Sequence, residues 1–203
     1  MIFVFNQNFK LIKKIGENLK KASFNLTIDY ESDILYCSHF YKDVVTLWNV
    51  NDAKLIQELE IERPIDLKIS ENKIYILSRA DYDADREKRK LAKVKKGNSI
   101  NVLNKSNHEI INKIQFDDWF CPHSLHISSD GDIYTTAYEL DKNNGTWSKN
   151  TFLFIIDSTS YQIKQKIELN DVDTFVGALY LNNKLILCYV NDICNEIRII
   201  DFE

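Results

Sequence analysis

His123-Ser124-Leu125-His126-Ile127-Ser128-Ser129-Asp130-Gly131-Asp132-Ile133-Tyr134-Thr135 reads as a short strand, a polar turn and a second strand that alternates apolar and polar residues. The pattern recurs three more times. Phe24-Asn25-Leu26-Thr27-Ile28 leads to Glu31-Ser32-Asp33-Ile34-Leu35-Tyr36, Ile65-Asp66-Leu67-Lys68-Ile69 to Glu71-Asn72-Lys73-Ile74-Tyr75-Ile76, and Val176-Gly177-Ala178-Leu179-Tyr180 to Asn182-Asn183-Lys184-Leu185-Ile186-Leu187. Each is a predicted hairpin.

A second pattern follows each hairpin, a strand ending in Asn or Asp, a turn, and a strand interleaved with Lys, Gln or Glu. Its anchors are Asn6, Asn49, Asn104, Asp157 and Asp201, spaced by 43, 55, 53 and 44 residues. A repeat of this length with four strands per unit predicts an all-β chain of consecutive four-stranded antiparallel blades, a β-propeller. The expected organisation is one domain over 1–203, with blade units at 1–17 (partial), 22–61, 64–116, 121–169 and 174–203 (partial). About four blades result, in a small closed ring or an open partial propeller.

Composition agrees. The chain has 203 residues, 44% hydrophobic and 12% aromatic, with five Gly and two Pro, which suits a packed core and excludes disordered and collagen-like classes. The formal charge of −4 lacks the basic excess of a dedicated nucleic-acid binder. The apolar run Met1–Phe5 is too short for a leader or a membrane span. Cys37, Cys121, Cys188 and Cys194 show no C-x2-C spacing, so free thiols and a cytoplasmic location are expected.

The uneven spacing comes from two insertions, residues 79–98 and 138–150, each between the second and third strands of its unit. In a propeller both emerge on the face that also carries Asp117-Asp118-Trp119-Phe120-Cys121-Pro122. That face is the expected binding surface.

Trp119-Phe120-Cys121-Pro122-His123-Ser124-Leu125 through Asp130-Gly131-Asp132-Ile133-Tyr134 resembles an NHL-type repeat, and Pro64–Tyr75 is a weaker copy. Within that class, Pro122-His123-Ser124-Leu125 is similar to blades of the propeller lyases that cleave peptidyl-α-hydroxyglycine. The resemblance implies a metal in a central channel, held by one histidine from each of several blades. The repeat itself opposes this, because positions equivalent to His123 are Phe24, Ile65 and Val176, and a catalytic zinc needs about three protein ligands. His126, three residues on in a strand, points to the opposite face.

Arg86, Lys88, Arg89, Lys90, Lys93, Lys95 and Lys96 place seven bases against one acid in the first insertion, an electrostatic patch read as a solvated excursion with a helical turn capped by Asp81 or Asp83. Asp81, Asp83 and Asp85 open like a calcium loop, but Arg86 stands where that loop needs Gly and Ala92 where it needs Glu. The candidate ligand-binding residues are Trp119, His123, Tyr138, Trp147, Asp117 and Asp118, since acids beside exposed aromatics suit sugars, peptides or cationic groups. The expected function is non-enzymatic binding of a protein or small molecule, with no cofactor, metal, nucleic acid or membrane. The alternatives are a metal-dependent propeller lyase or hydrolase centred on His123, and a structural subunit that self-associates through its terminal strands.

Overall fold

The computed structural model describes residues 2–16, 25–79, 82–85, 90–93, 97–118, 120–140, 147–169, 174–181, 184–190 and 195–201. In chain order the strands are β1 (Ile2–Phe5), β2 (Leu11–Ile15), β3 (Asn25–Asp29), β4 (Ile34–His39), β5 (Val44–Asn49), β6 (Leu55–Glu60), β7 (Pro64–Ser70), β8 (Lys73–Ser78), β9 (Tyr82–Asp85), β10 (Lys90–Lys93), β11 (Ser99–Asn104), β12 (Ile110–Gln115), β13 (Phe120–Ile127), β14 (Ile133–Leu140), β15 (Trp147–Ile156), β16 (Ile163–Leu169), β17 (Thr174–Leu181), β18 (Lys184–Val190) and β19 (Asn195–Asp201). Three four-stranded antiparallel sheets follow one another: β3-β4-β5-β6, then β7-β8-β11-β12, then β13-β14-β15-β16. A two-stranded sheet, β1-β2, precedes them and a three-stranded one, β17-β18-β19, follows. The chain is all-β and built as propeller blades, with β3, β7, β13 and β17 packed in that order as the first strand of each blade.

Burial explains the two kinds of strand in the sequence. Strands β4, β5, β8 and β11 are buried along almost their whole length, because a neighbouring blade covers each face, and each carries adjacent buried apolar residues that point to opposite sides, such as Leu47 and Trp48 in β5 and Val102 and Leu103 in β11. The outermost strands β6, β12 and β16 are largely exposed, and their Lys, Gln and Glu residues blunt a sheet edge that would otherwise pair with other chains. The core lies between blades. Val45, Leu47, Leu59 and Ile61 meet Leu67, Ile74, Ile76 and Leu103 at the first junction, and Ile100 and Val102 meet Phe154 and Ile156 at the next. The β1-β2 pair lays Ile2, Val4 and Ile15 on Leu35, Cys37 and Trp48 of the first complete blade.

Two expectations are corrected. The first insertion holds an antiparallel pair, β9 with β10, in place of a capped helical turn. Its register sets Asp85 opposite Lys90 and Tyr82 opposite Lys93. The described residues of the second insertion are strand: β14 runs on to Leu140 and β15 starts at Trp147, with Tyr138 opposite Thr151 and Leu140 opposite Trp147. The alternating, β-prone run Tyr134–Leu140 has no breaker to stop it. Among the described residues, no strand pairing joins β1 or β2 to β17–β19.

The repeat anchors have a physical role. Four of the five close the turn between the third and fourth strands by accepting backbone N–H groups on a side-chain oxygen: Asn6 from Asn8 and Lys10, both at 3.0 Å, Asn49 from Asn51 at 2.8 Å, Asn104 from Ser106 at 2.8 Å, and Asp157 from Thr159 at 2.9 Å and Ser160 at 2.7 Å. The turn needs one residue in the left-handed region, and Phe9, Ala53, His108 and Tyr161 supply it, with φ of 58°, 60°, 60° and 58°. Asn104→Ala is expected to lower the unfolding free energy by about 1 kcal/mol in urea denaturation, and Asn104→Asp by much less, because the aspartate keeps the acceptor oxygen. Equal losses in the two variants would contradict this role for the side chain.

Candidate functional site

The inner strands share one irregularity. The ladder slips between Pro64 and Asp66 in β7, between Pro122 and Ser124 in β13, and between Phe175 and Gly177 in β17. The extra residue is Ile65, His123 or Val176, three of the four equivalent positions that the repeat predicts; the fourth, Phe24, lies outside the described residues. A bulge frees its residue from the alternation and re-aims the side chain. In β13 that residue is His123, whose ring meets Tyr138 with centroids 5.5 Å apart at 42°. The extension of β14 places Tyr138 there, opposite Cys121 on one side and Thr151 on the other.

Beside the bulges lies a buried carboxylate that sequence reading did not single out. Asp66 accepts Asn25 Nδ2 at 2.7 Å and Lys68 Nζ at 2.9 Å on one oxygen, and the backbone N–H of Leu125 at 3.0 Å on the other. Those partners sit on β3, β7 and β13, so one side chain ties three blades together. A second tie joins Thr27 Oγ1 to the carbonyl of Leu67 at 2.7 Å. Ser124 bonds Thr136 at 2.7 Å within its own blade. His126, close enough to feel Lys68 and Asp66, is pushed down to about 4 by burial, helped by Lys68 and opposed by Asp66.

The structure brings together some of the expected site and not all of it. His123 and Tyr138 touch. Asp117 and Asp118 are exposed in the connection between β12 and β13, where the Asp117 carbonyl accepts the Phe120 N–H at 2.9 Å. Trp147 lies in β15 and Lys90 and Lys93 in β10, but their side chains fall outside the described residues, as do Trp119, Arg86, Lys88, Arg89, Lys95 and Lys96 entirely. At the start of β13 the same blade holds an aromatic group: Lys166 Nζ of β16 lies 3.9 Å from the ring centroid of Phe152 in β15 and 4.2 Å from that of Phe120. Among the described residues, no three His, Cys, Asp or Glu side chains are grouped to hold a metal. No helix among them is long and apolar enough to cross a membrane.

On the opposite face, between the first two complete blades, is a cavity of about 510 Å³ lined by residues including Asp29, Glu31, Tyr36, Glu71, Lys105 and His108. Its polar groups pair with one another. Lys105 binds Asp29 at 3.0 Å and Glu31 at 2.8 Å, and Tyr36 meets His108 at 3.2 Å, which in turn meets Gln57 at 3.1 Å. Burial pulls His108 below its ordinary value and pushes Tyr36 up to about 12, so both are neutral at pH 7. The groups that line this cavity lock two blades together.

Neither a protein-family model nor a curated protein matches the chain in sequence. Solved structures match it in shape. Hydrazine synthase of Kuenenia stuttgartiensis superposes with a TM-score of 0.73 at 16% identity, over 97% of this chain and 55% of that one. A candidate 6-phosphogluconolactonase of Bacteroides uniformis gives 0.59 at 10% identity, over 97% and 62%, and the WD40 domain of Toxoplasma gondii coronin gives 0.53 at 12%, over 79% and 38%. This chain therefore spans between about two fifths and three fifths of the length of these structures. At such low identity the likeness establishes the propeller-like fold and nothing further.

Asp66→Ala leaves the buried Leu125 N–H without its acceptor and is expected to cost about 2–4 kcal/mol in denaturant unfolding. A loss under about 1 kcal/mol would remove Asp66 from its linking role. His126 gives a pH signature. Its folded pKa lies below the unfolded value of about 6.5, so its stabilisation is present above that value and is lost as pH falls towards 4, on the order of 2 kcal/mol in all. His126→Gln should flatten the pH 6.5 to 4 portion of the stability curve, and an unchanged slope would refute the assignment.

Proposed function

We propose that the chain is a non-enzymatic binding module whose ligand, a protein or a small molecule, sits on the face carrying the two insertions. The observation that supports this is the His123–Tyr138 pair, where a bulge turns an imidazole out of the strand ladder and an extended neighbouring strand sets a phenol against it. Asp117, Asp118, Trp119 and Trp147 complete the proposed surface, and the basic run Arg86 to Lys96 forms its electrostatic lip. In kind the propeller is closest to the NHL type, on the Pro122-His123-Ser124-Leu125 and Asp130-Gly131 signature. The buried free thiol of Cys37 favours a reducing, cytoplasmic setting.

The rival is a metal-dependent lyase at His123. Against it stand Ile65 and Val176, the equivalent bulge residues, which carry no ligand atom. Native mass spectrometry of the purified chain is expected to find no stoichiometric zinc. A bound zinc that disappears in His123→Ala would restore the lyase. For the binding reading, the ¹⁵N-labelled chain is titrated with a library of sugars, short peptides and organic cations. Amide shifts clustered on Cys121–Leu125 and Thr136–Glu139, and abolished in His123→Ala, are the expected result. Shifts confined to the opposite-face cavity, or none at all, would overturn it.

A further inference from the structure

Every internal blade buries its third strand on both sides, and the alternation sorts the burial by direction. Counting back from the anchor residue, Trp48, Leu103 and Ile156 face the preceding blade and are 7%, 1% and 0% exposed. The residues one and three places earlier, Leu47 and Val45, Val102 and Ile100, and Ile155 and Leu153, lie on the alternate face and are also buried. In β1 the position of Trp48 is held by Phe5 and that of Thr46 by Phe3. These are 54% and 52% exposed, although Ile2 and Val4 on the other side of the same strand are covered. In β19 the positions of Leu47 and Val45 are held by Ile199 and Ile197, which are 58% and 70% exposed.

The two uncovered faces are thus the two halves of the junction that the chain builds repeatedly within itself. One is a forward face of the Ile197 and Ile199 kind, the other a backward face of the Phe3 and Phe5 kind, extended by Leu11 and Ile12 on β2. Both are exposed at once, so in a single copy neither covers the other. Apolar residues grouped on a sheet face in this way mark an interaction surface.

We propose that the occupant of each face is a second copy of this chain, the β17–β19 sheet of one copy stacking on the β1–β2 sheet of the next. The contact is heterologous, joining two different surfaces, and it repeats the blade-to-blade packing of the interior. It rests on the fold alone, so it stands or falls separately from the ligand face.

Sedimentation velocity of the intact chain over a rising concentration series should show species of at least twice the 23.8 kDa chain mass. Phe3→Glu/Phe5→Glu should be monomeric, as should Ile197→Glu/Ile199→Glu. A mixture of the two should form a dimer, because each retains the half that the other lacks. A monomeric wild type at every concentration overturns the proposal. So does an oligomer indifferent to both variants, or a pair of monomeric variants that fail to combine. Circular dichroism melts show whether each variant is folded. Hydrogen exchange of the wild type gives a reading that needs no variant: protection at residues 2–15 and 195–201 should rise with concentration, and concentration-independent exchange there would count against the contact.

Discussion

A carboxylate in the inner strands holds the arrangement of blades. Apolar surfaces between sheets are slippery in register, since leucine packs on isoleucine in many positions and dispersion alone has little directional preference. Asp66 supplies direction. Its two oxygens take donors from β3, from its own strand and from the backbone of β13, so the three inner strands are fixed along their lengths as well as side by side. The charge is affordable there because Lys68 and the two amide donors satisfy it.

The bulges follow from the same inner position. Close packing of β7, β13 and β17 bends each strand near its start, and each accommodates the bend by one unpaired residue. In two blades that residue is aliphatic, Ile65, which is buried, and Val176. In the third it is His123, the only one of the three with chemistry to offer a ligand. The proposed site thus uses a feature of the repeat, the bulge, at the position where this blade carries a histidine.

Much of the architecture was legible from spacing. Asn6, Asn49, Asn104 and Asp157 stand out as the anchors of a period because one physical task, capping a tight turn with a side-chain oxygen, recurs in every blade and few residues perform it. The hairpins were legible because each strand pair has its own alternation. Other features left no local trace. Ile65-Asp66-Leu67-Lys68 alternates like a half-exposed strand, a pattern that carries no sign of the burial of Asp66. The slip at His123 shifts register without changing the residue pattern. The charged run after Arg79 reads as a helical excursion because Tyr82–Asp85 and Lys90–Lys93 are short, so their pairing leaves no signal in the pattern. His123 and Tyr138 are both legible as candidates, but their contact depends on the length of β14, which spacing alone does not give.

The central claim is that polar links between inner strands hold consecutive blades in place and present the bulged face. Hydrogen exchange at the Leu125 amide tests it most directly. The account predicts that this proton, donated across the blade boundary to Asp66, is among the slowest in the chain and exchanges only on global unfolding. Fast exchange at Leu125, with neighbouring amides of β13 still protected, would contradict it.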